Sequence, residues 1–384
     1  MSSWTRLIGT AVRGIEDRID EVRGRERRRP RQIVAYRGFG TAQTLHVSGR
    51  VLANEPLWTA GAEDPWWRNL RATWRRLGSA EVPGALVDVE VAGGRAQAVT
   101  DDEGYFRAKV LPLAPLRPDR LWHDGEVRLA GDGTIRQPVF VLTPPDDAGF
   151  AVVSDLDDTV VRTDVANRLR MFRELLLGNA RTRLPFHGVA AFYRALHRGS
   201  DGKRLNPLFY VSSSPWNLYD LLLDFLEHRD IPVGPIFLRD WGVSEHEILP
   251  SGHGFHKRGV IRQILETYPA LPFILIGDSG QEDPEIYRDV VRDYPGRILA
   301  VYIRNVTPAP LRQASIRQLA AEVTEAGSTL ILSEDTLSAA RHAAEHGWID
   351  AAELEQVAAE ERAASRPSDP KSPTVIIDQA GVGD

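Results

Sequence analysis

Cysteine is absent from all 384 residues, which excludes disulfides, thiolate metal sites and a cysteine nucleophile and leaves the compartment open. No apolar run approaches the roughly 20 residues that a membrane-spanning helix needs, and the N-terminus lacks the uninterrupted apolar core of a signal peptide. A soluble, cytoplasmic protein is the expectation. Lysine is scarce too: of 47 basic side chains, only Lys109, Lys203, Lys257 and Lys371 are lysines. Against so much arginine each lysine stands out, and a compact ammonium is what a phosphate pocket can use. The formal charge of −6 is ordinary.

The length exceeds one comfortable core, so two domains with tails is the natural division. Residues 1–32 place Trp4, Leu7, Ile8, Ala11, Val12, Ile15, Ile19 and Val22 at helical spacing before an arginine-rich segment and Pro30. Such a basic amphipathic helix either docks on the body of the protein or a second copy, or lies through residues 4–22 on the inner face of a membrane. Residues 33–145 change to short alternating strands with Gly and Asp turns and read as a small β-sandwich. The phrase Thr100-Asp101-Asp102-Glu103-Gly104-Tyr105-Phe106 resembles that of transthyretin-like sandwiches, a turn entering a core strand. An acidic turn of this kind is expected to be structural rather than a calcium site.

Asp64-Pro65 opens an amphipathic pattern through Leu77, with Trp67, Leu70, Trp74 and Leu77 on one face. Its aromatics and arginines are expected to pack on the sandwich. Without a wider basic surface, no nucleic-acid partner is expected. After the Pro/Asp/Gly linker at 144–149, strands and helices alternate over 150–345 as in a doubly wound α/β sheet. Residues 346–365 read as a helical extension, with Leu330-Ile331-Leu332 as a last strand before it, and 366–384 as a disordered tail.

The chemistry gathers in the α/β region. Val152-Val153-Ser154-Asp155-Leu156-Asp157-Asp158-Thr159 sets two carboxylates, Asp155 and Asp157, at alternate positions past a short apolar strand. Both should be ionised near neutrality and repel each other, so a cation or a phosphoryl group between them makes most sense of the pattern. Three further elements follow in order. Leu208-Phe209-Tyr210-Val211 runs into Ser212-Ser213-Ser214-Pro215, Lys257 opens a periodic helix, and Phe273-Ile274-Leu275-Ile276 runs into Gly277-Asp278-Ser279-Gly280-Gln281-Glu282-Asp283-Pro284.

This order resembles the motif set of the haloacid dehalogenase superfamily. Within it, Tyr210 to Tyr219 and Gly277 to Tyr287 are similar to the catalytic-domain family of the fungal actin-patch phosphatidate phosphatase and its bacterial relatives, over roughly residues 150–310. The resemblance implies a haloacid dehalogenase-like sheet and a Mg²⁺-dependent phosphatase, with phosphatidate as substrate and diacylglycerol and phosphate as products. It implies that Asp155 attacks phosphorus and that Asp157 serves as acid and then base, with Thr159 orienting it. Ser212 and Lys257 would hold the phosphoryl group.

Hard oxygen donors suit Mg²⁺, so Asp155, Asp157 (through its main-chain carbonyl), Asp278 and Asp283 form the expected metal set. Asp283 directly precedes Pro284 and a helical run, so helix capping and a role at the metal both stay open. His253 and His256 are expected on a solvated loop. Rival readings are a phosphatase acting on a soluble phosphomonoester, a phosphoprotein or a nucleic-acid end, and a non-catalytic membrane or protein adaptor.

Overall fold

The computed structural model describes residues 30–53, 80–156, 188–239, 253–306 and 309–365. The amphipathic segment within 1–29, the helix expected at 64–77, the stretch 157–187 and the tail 366–384 lie outside the described residues.

The period-two alternation builds nine strands: β1 (Arg31–Ala35), β2 (Gly38–Gly40), β3 (Leu45–Ala53), β4 (Ala80–Glu81), β5 (Leu86–Val91), β6 (Gly94–Val99), β7 (Tyr105–Val110), β8 (Trp122–Leu129) and β9 (Asp132–Leu142). In β5, Val87, Val89 and Val91 are buried while Asp88 and Glu90 between them are not, as a sheet with one dry face requires. The strands form one hydrogen-bonded network, β1-β3-β2-β9-β8-β5-β6, with β4 and β7 paired onto β3. Short β2 makes the join, antiparallel to β3 and parallel to β9. Leu45, Val47, Val87, Phe106, Val127 and Val141 meet in the enclosed core. The acidic turn is structural: Asp101 Oδ1 accepts from the amides of Glu103 (3.1 Å) and Tyr105 (2.8 Å), and Gly104 takes φ +80°.

Beyond the 144–149 connection the elements alternate. They are β10 (Ala151–Asp155), α1 (Val189–Arg198), β11 (Leu208–Pro215), a 3₁₀ turn (Trp216–Leu218), α2 (Tyr219–His228), β12 (Ile236–Arg239), α3 (His253–Thr267), β13 (Phe273–Asp278), α4 (Asp283–Asp293), β14 (Ile298–Arg304), α5 (Pro310–Glu325), β15 (Leu330–Ser333), α6 (Thr336–Glu345) and α7 (Glu353–Ser365). The six strands run parallel in the order β12-β11-β10-β13-β14-β15.

Near-continuous apolar strands are what a parallel sheet buried on both faces needs. Val152, Tyr210, Ile274 and Tyr302 face one core with Phe192 of α1, Leu222 of α2 and Ala340 of α6. Val153, Phe209, Leu275 and Val301 face the other with Ile264 of α3, Tyr287 of α4 and Ile316 of α5. The chain leaves β10 towards β12 and returns to β13 on the other side. The carboxyl end of β10 therefore lies at the switch in strand order, where open α/β sheets collect ligands.

The two sheets share apolar surface. Phe39, Leu121 and Leu142 belong to the core that holds Phe209 and Tyr268, and Tyr36 and Tyr105 to the one that holds Tyr219. Polar contacts cross the seam as well: the Arg37 amide donates to Tyr219 OH (2.6 Å), the Gly40 amide to Tyr268 OH (3.2 Å), and Arg37 pairs with Glu227 (3.0 Å). Among the described residues no helix is long and apolar enough to cross a membrane.

Candidate active site

Parallel register puts the functional side chains at one end of the sheet. Asp155 closes β10 and pairs in register with Val211, so Ser212 follows directly on the neighbouring strand. Asp278 closes β13 on the other side of β10. Lys257 reaches the same point from α3, where it is 5% exposed. That helix begins at His253, so Lys257 lies inside it, and His253 and His256 are helical rather than on a loop. Those two histidine side chains lie outside the described residues.

Lys257 Nζ stands 3.1 Å from Asp155 Oδ2 and 2.5 Å from Asp283 Oδ1. One carboxylate oxygen each from Asp155, Asp278 and Asp283 lies within 4.8 Å of the others, and all three residues are buried. Among the described residues, three buried acids against one ammonium leave an excess of negative charge in a poorly solvated place. A proton or a cation must relieve it. The Asp278 carboxyl responds accordingly: burial and then the charge of Asp283 raise its pKa from the ordinary value, against the pull of the Gly280 amide and Lys257. Its Oδ1 accepts from the amides of Gly280 (2.5 Å) and Gln281 (3.1 Å).

Asp283 is not the cap of α4. The N-cap is Glu282, which makes no side-chain cap bond. The Asp283 carboxylate turns back across the loop instead, Oδ1 to Lys257 and Oδ2 accepting from the Asp278 amide at 3.1 Å. Gly277 makes this possible, because a Cβ there would lie 2.4 Å from Asp283 Oδ2. Tyr287 supports the floor of the site. Its hydroxyl donates to the Ile276 carbonyl at 2.9 Å, and burial, then the charges of Asp283, Asp155 and Asp278, hold it protonated well above its ordinary range.

β11 does not end at Val211, as its apolar run suggests, but continues to Pro215 through an irregularity. Val211 pairs with Phe237 and Pro215 with Arg239, so the stretch between them bulges from the ladder. Ser212, 1% exposed, accepts from the Ser214 amide at 3.0 Å inside this bulge.

Arg312 of α5 carries no signal in its own neighbourhood, yet it clamps the loop after Asp278. Its guanidinium donates to the carbonyls of Ser279 (2.9 Å) and Gln281 (2.5 Å) and to both oxygens of Glu285. Burial favours the neutral Glu285 carboxyl, but the bonds from Arg312 overcome it and draw it below its ordinary value.

Of the expected residues, Asp155, Lys257, Asp278 and Asp283 are thus brought into one cluster, with Ser212 on the adjoining strand. Asp157 and Thr159 lie outside the described residues. The donor set suits a hard divalent cation, since carboxylate oxygens are what Mg²⁺ prefers and, among the described residues, the cluster's acids outnumber the one ammonium that meets them.

Residues 150–305 match the family model described as phosphatidate phosphatase APP1, catalytic domain. The phosphatidate phosphatase APP1 of Saccharomyces cerevisiae is 34% identical over 157 residues, which is 41% of this chain and 26% of that protein. An uncharacterized protein of Schizosaccharomyces pombe is 28% identical over 213 residues, 54% of this chain and 34% of that one. The chain thus spans about a third or less of these curated relatives. Among solved structures, a carbohydrate acetylesterase from Xanthomonas citri aligns over 76% of this chain and 65% of its own at 12% identity, with a TM-score of 0.28, too low to bear on fold or function.

Proposed function

We propose that this chain is a Mg²⁺-dependent phosphatidate phosphatase, built on a haloacid dehalogenase-like doubly wound sheet behind a small transthyretin-like β-sandwich. The observation that carries the reading is the buried cluster in which Lys257 of α3 and Asp283 of α4 meet Asp155 and Asp278, the last residues of adjacent strands. It falls within the stretch that resembles the yeast enzyme's catalytic domain.

Phosphate monoesters hydrolyse very slowly unaided, so a positioned nucleophile and charge neutralisation are needed together. Asp155 is the nucleophile: its oxygen bonds to phosphorus as the bond to the lipid oxygen breaks, and Asp157 gives that oxygen a proton. Water then attacks the aspartyl phosphate, Asp157 takes its proton, and the Asp155–phosphorus bond breaks to release phosphate. Thr159 orients Asp157. Ser212 donates to a phosphoryl oxygen, and Lys257 offsets charge on both the nucleophile and the phosphoryl group. Asp155, Asp278 and Asp283, with the Asp157 main-chain carbonyl, would hold Mg²⁺, which supplies charge neutralisation for a dianionic phosphate among carboxylates. A substrate held in a bilayer implies work at a membrane surface by a cytoplasmic enzyme, with residues 4–22 as the segment suited to touch it.

The test is phosphate release from phosphatidate in mixed micelles with Mg²⁺, beside a water-soluble monoester, with Asp155→Asn as control. Release from the lipid that chelator and Asp155→Asn abolish supports the reading. Turnover of the soluble ester alone would keep the chemistry and discard the lipid, and release from neither would sink the enzyme and favour an adaptor.

A further inference from the structure

Ser212 sits where β11 leaves its regular pairing with β12. Between Val211 and Pro215 four steps along β11 are matched by two along β12, so the ladder on that side does not fix the intervening serines. The bulge is closed on itself by the Ser214 amide donating to Ser212 Oγ at 3.0 Å. What anchors its exit is Trp216, the first residue of the 3₁₀ turn after Pro215. The Trp216 indole Nε1 is buried and has no hydrogen-bond partner among the described residues, so ring contacts must hold the side chain.

Those rings come largely from the other sheet. Tyr36 stacks on Trp216 with centroids 4.2 Å apart and planes 28° apart, and Tyr105 lies 6.2 Å away, tilted by 54°. Tyr219 closes the cluster 6.1 Å from Trp216 and 4.5 Å from Tyr36. Tyr36 is itself held, since its amide donates to the Ser48 carbonyl at 2.9 Å, and the next amide, of Arg37, donates to Tyr219 OH at 2.6 Å. Two consecutive residues in the connection between β1 and β2 therefore grip both Trp216 and the first residue of α2.

We propose that Tyr36 and Tyr105 are positioning residues for phosphate binding: stacked on Trp216, they hold the Ser212–Pro215 bulge in the conformation that presents Ser212 to the phosphoryl group. This inference rests on the phosphatase reading of the site. It gives the N-terminal sheet a part in the reaction although it supplies no group that touches substrate. Misplacement by about 1 Å at a reacting centre can cost on the order of 100-fold in rate, so the stack need loosen only slightly to be felt.

The experiment compares Tyr36→Ala, Tyr36→Phe and Phe39→Leu. Phe39 contributes to the same seam on the opposite face of the parallel sheet, 6.5 Å from Phe209, and so controls for loss of seam stability alone. Inorganic phosphate binding with Mg²⁺ is measured by calorimetry, and kcat and KM are measured well below each variant's melting temperature. Tyr36→Ala should weaken phosphate binding about 10-fold and lower kcat/KM by roughly 10- to 100-fold. Tyr36→Phe should restore both, and Phe39→Leu should lower the melting temperature with phosphate binding unchanged. Wild-type phosphate affinity and kcat/KM in Tyr36→Ala would overturn the positioning role, as would an equal loss in Phe39→Leu. A wild-type protein that neither binds phosphate nor releases it would instead overturn the phosphatase reading and, with it, this inference.

Discussion

The carboxylate of Asp283 rests on the backbone of Gly277, so closely that a Cβ on Gly277 would meet Asp283 Oδ2 at 2.4 Å and Asp283 Cβ at 2.9 Å. Gly277→Ala must therefore push Asp283 away from Lys257, or shift the strand end that carries Asp278. Either response spoils the cluster. We expect a loss of about 1–3 kcal/mol in stability and of roughly 100-fold in kcat/KM, measured by denaturant melts and steady-state phosphate release. An alanine variant with normal kinetics would show that Asp283 need not occupy this position.

Asp278 predicts an opposition between stability and activity. Its folded-state pKa is raised above the ordinary 3.8 by burial and by Asp283. The native state therefore holds a proton that the unfolded chain has already released, so stability is lost as pH rises from about 3.8 through the folded value, and the penalty is full above it. Asp278→Asn removes that penalty while Oδ1 can still accept from Gly280 and Gln281. In metal-free buffer at neutral pH the variant should melt higher than wild type, with the gap closing towards pH 4. Mg²⁺ should raise the melting temperature of the wild type only, and phosphatase activity should fall on the order of 100-fold or more. Scanning calorimetry across pH would read the sign directly, and a lower melting temperature for the variant would refute the account.

Arg312 tests whether the loop after Asp278 must be held. A lysine keeps the charge but cannot span two carbonyls and a carboxylate at once. Arg312→Lys should speed amide exchange at Gly280 and Gln281, whose N–H groups point to Asp278, and reduce kcat/KM by about 10-fold. Unchanged exchange at those amides would mean that the loop is fixed without the clamp.

The cluster was legible in the sequence to the extent that each acid, and Lys257, adjoins its own regular element. Apolar runs mark the strands, the parallel register brings their ends together, and the rarity of lysine sets Lys257 apart. What local patterns hid was set by contacts between distant residues. Asp283 beside Pro284 has the statistics of a cap, but its carboxylate is turned inward by Lys257, 26 residues earlier. Arg312 is one arginine among many, and its carbonyl partners lie on a loop some 30 residues away. Periodicity could not reveal β2, only three residues long, although this strand helps join the whole N-terminal network. Nor does any spacing rule pair Tyr36 with Trp216.

The seam also separates two kinds of boundary that are often assumed to coincide. The match to the catalytic-domain family model begins at residue 150, yet Phe39, Leu121 and Leu142 lie in the same dry interior as Phe209 and Tyr268. Excised at that point, the recognisable segment would carry an apolar wound where its neighbour had been. The length of chain that the family model marks out and the length that can seal its own interior are therefore different, and the second is longer.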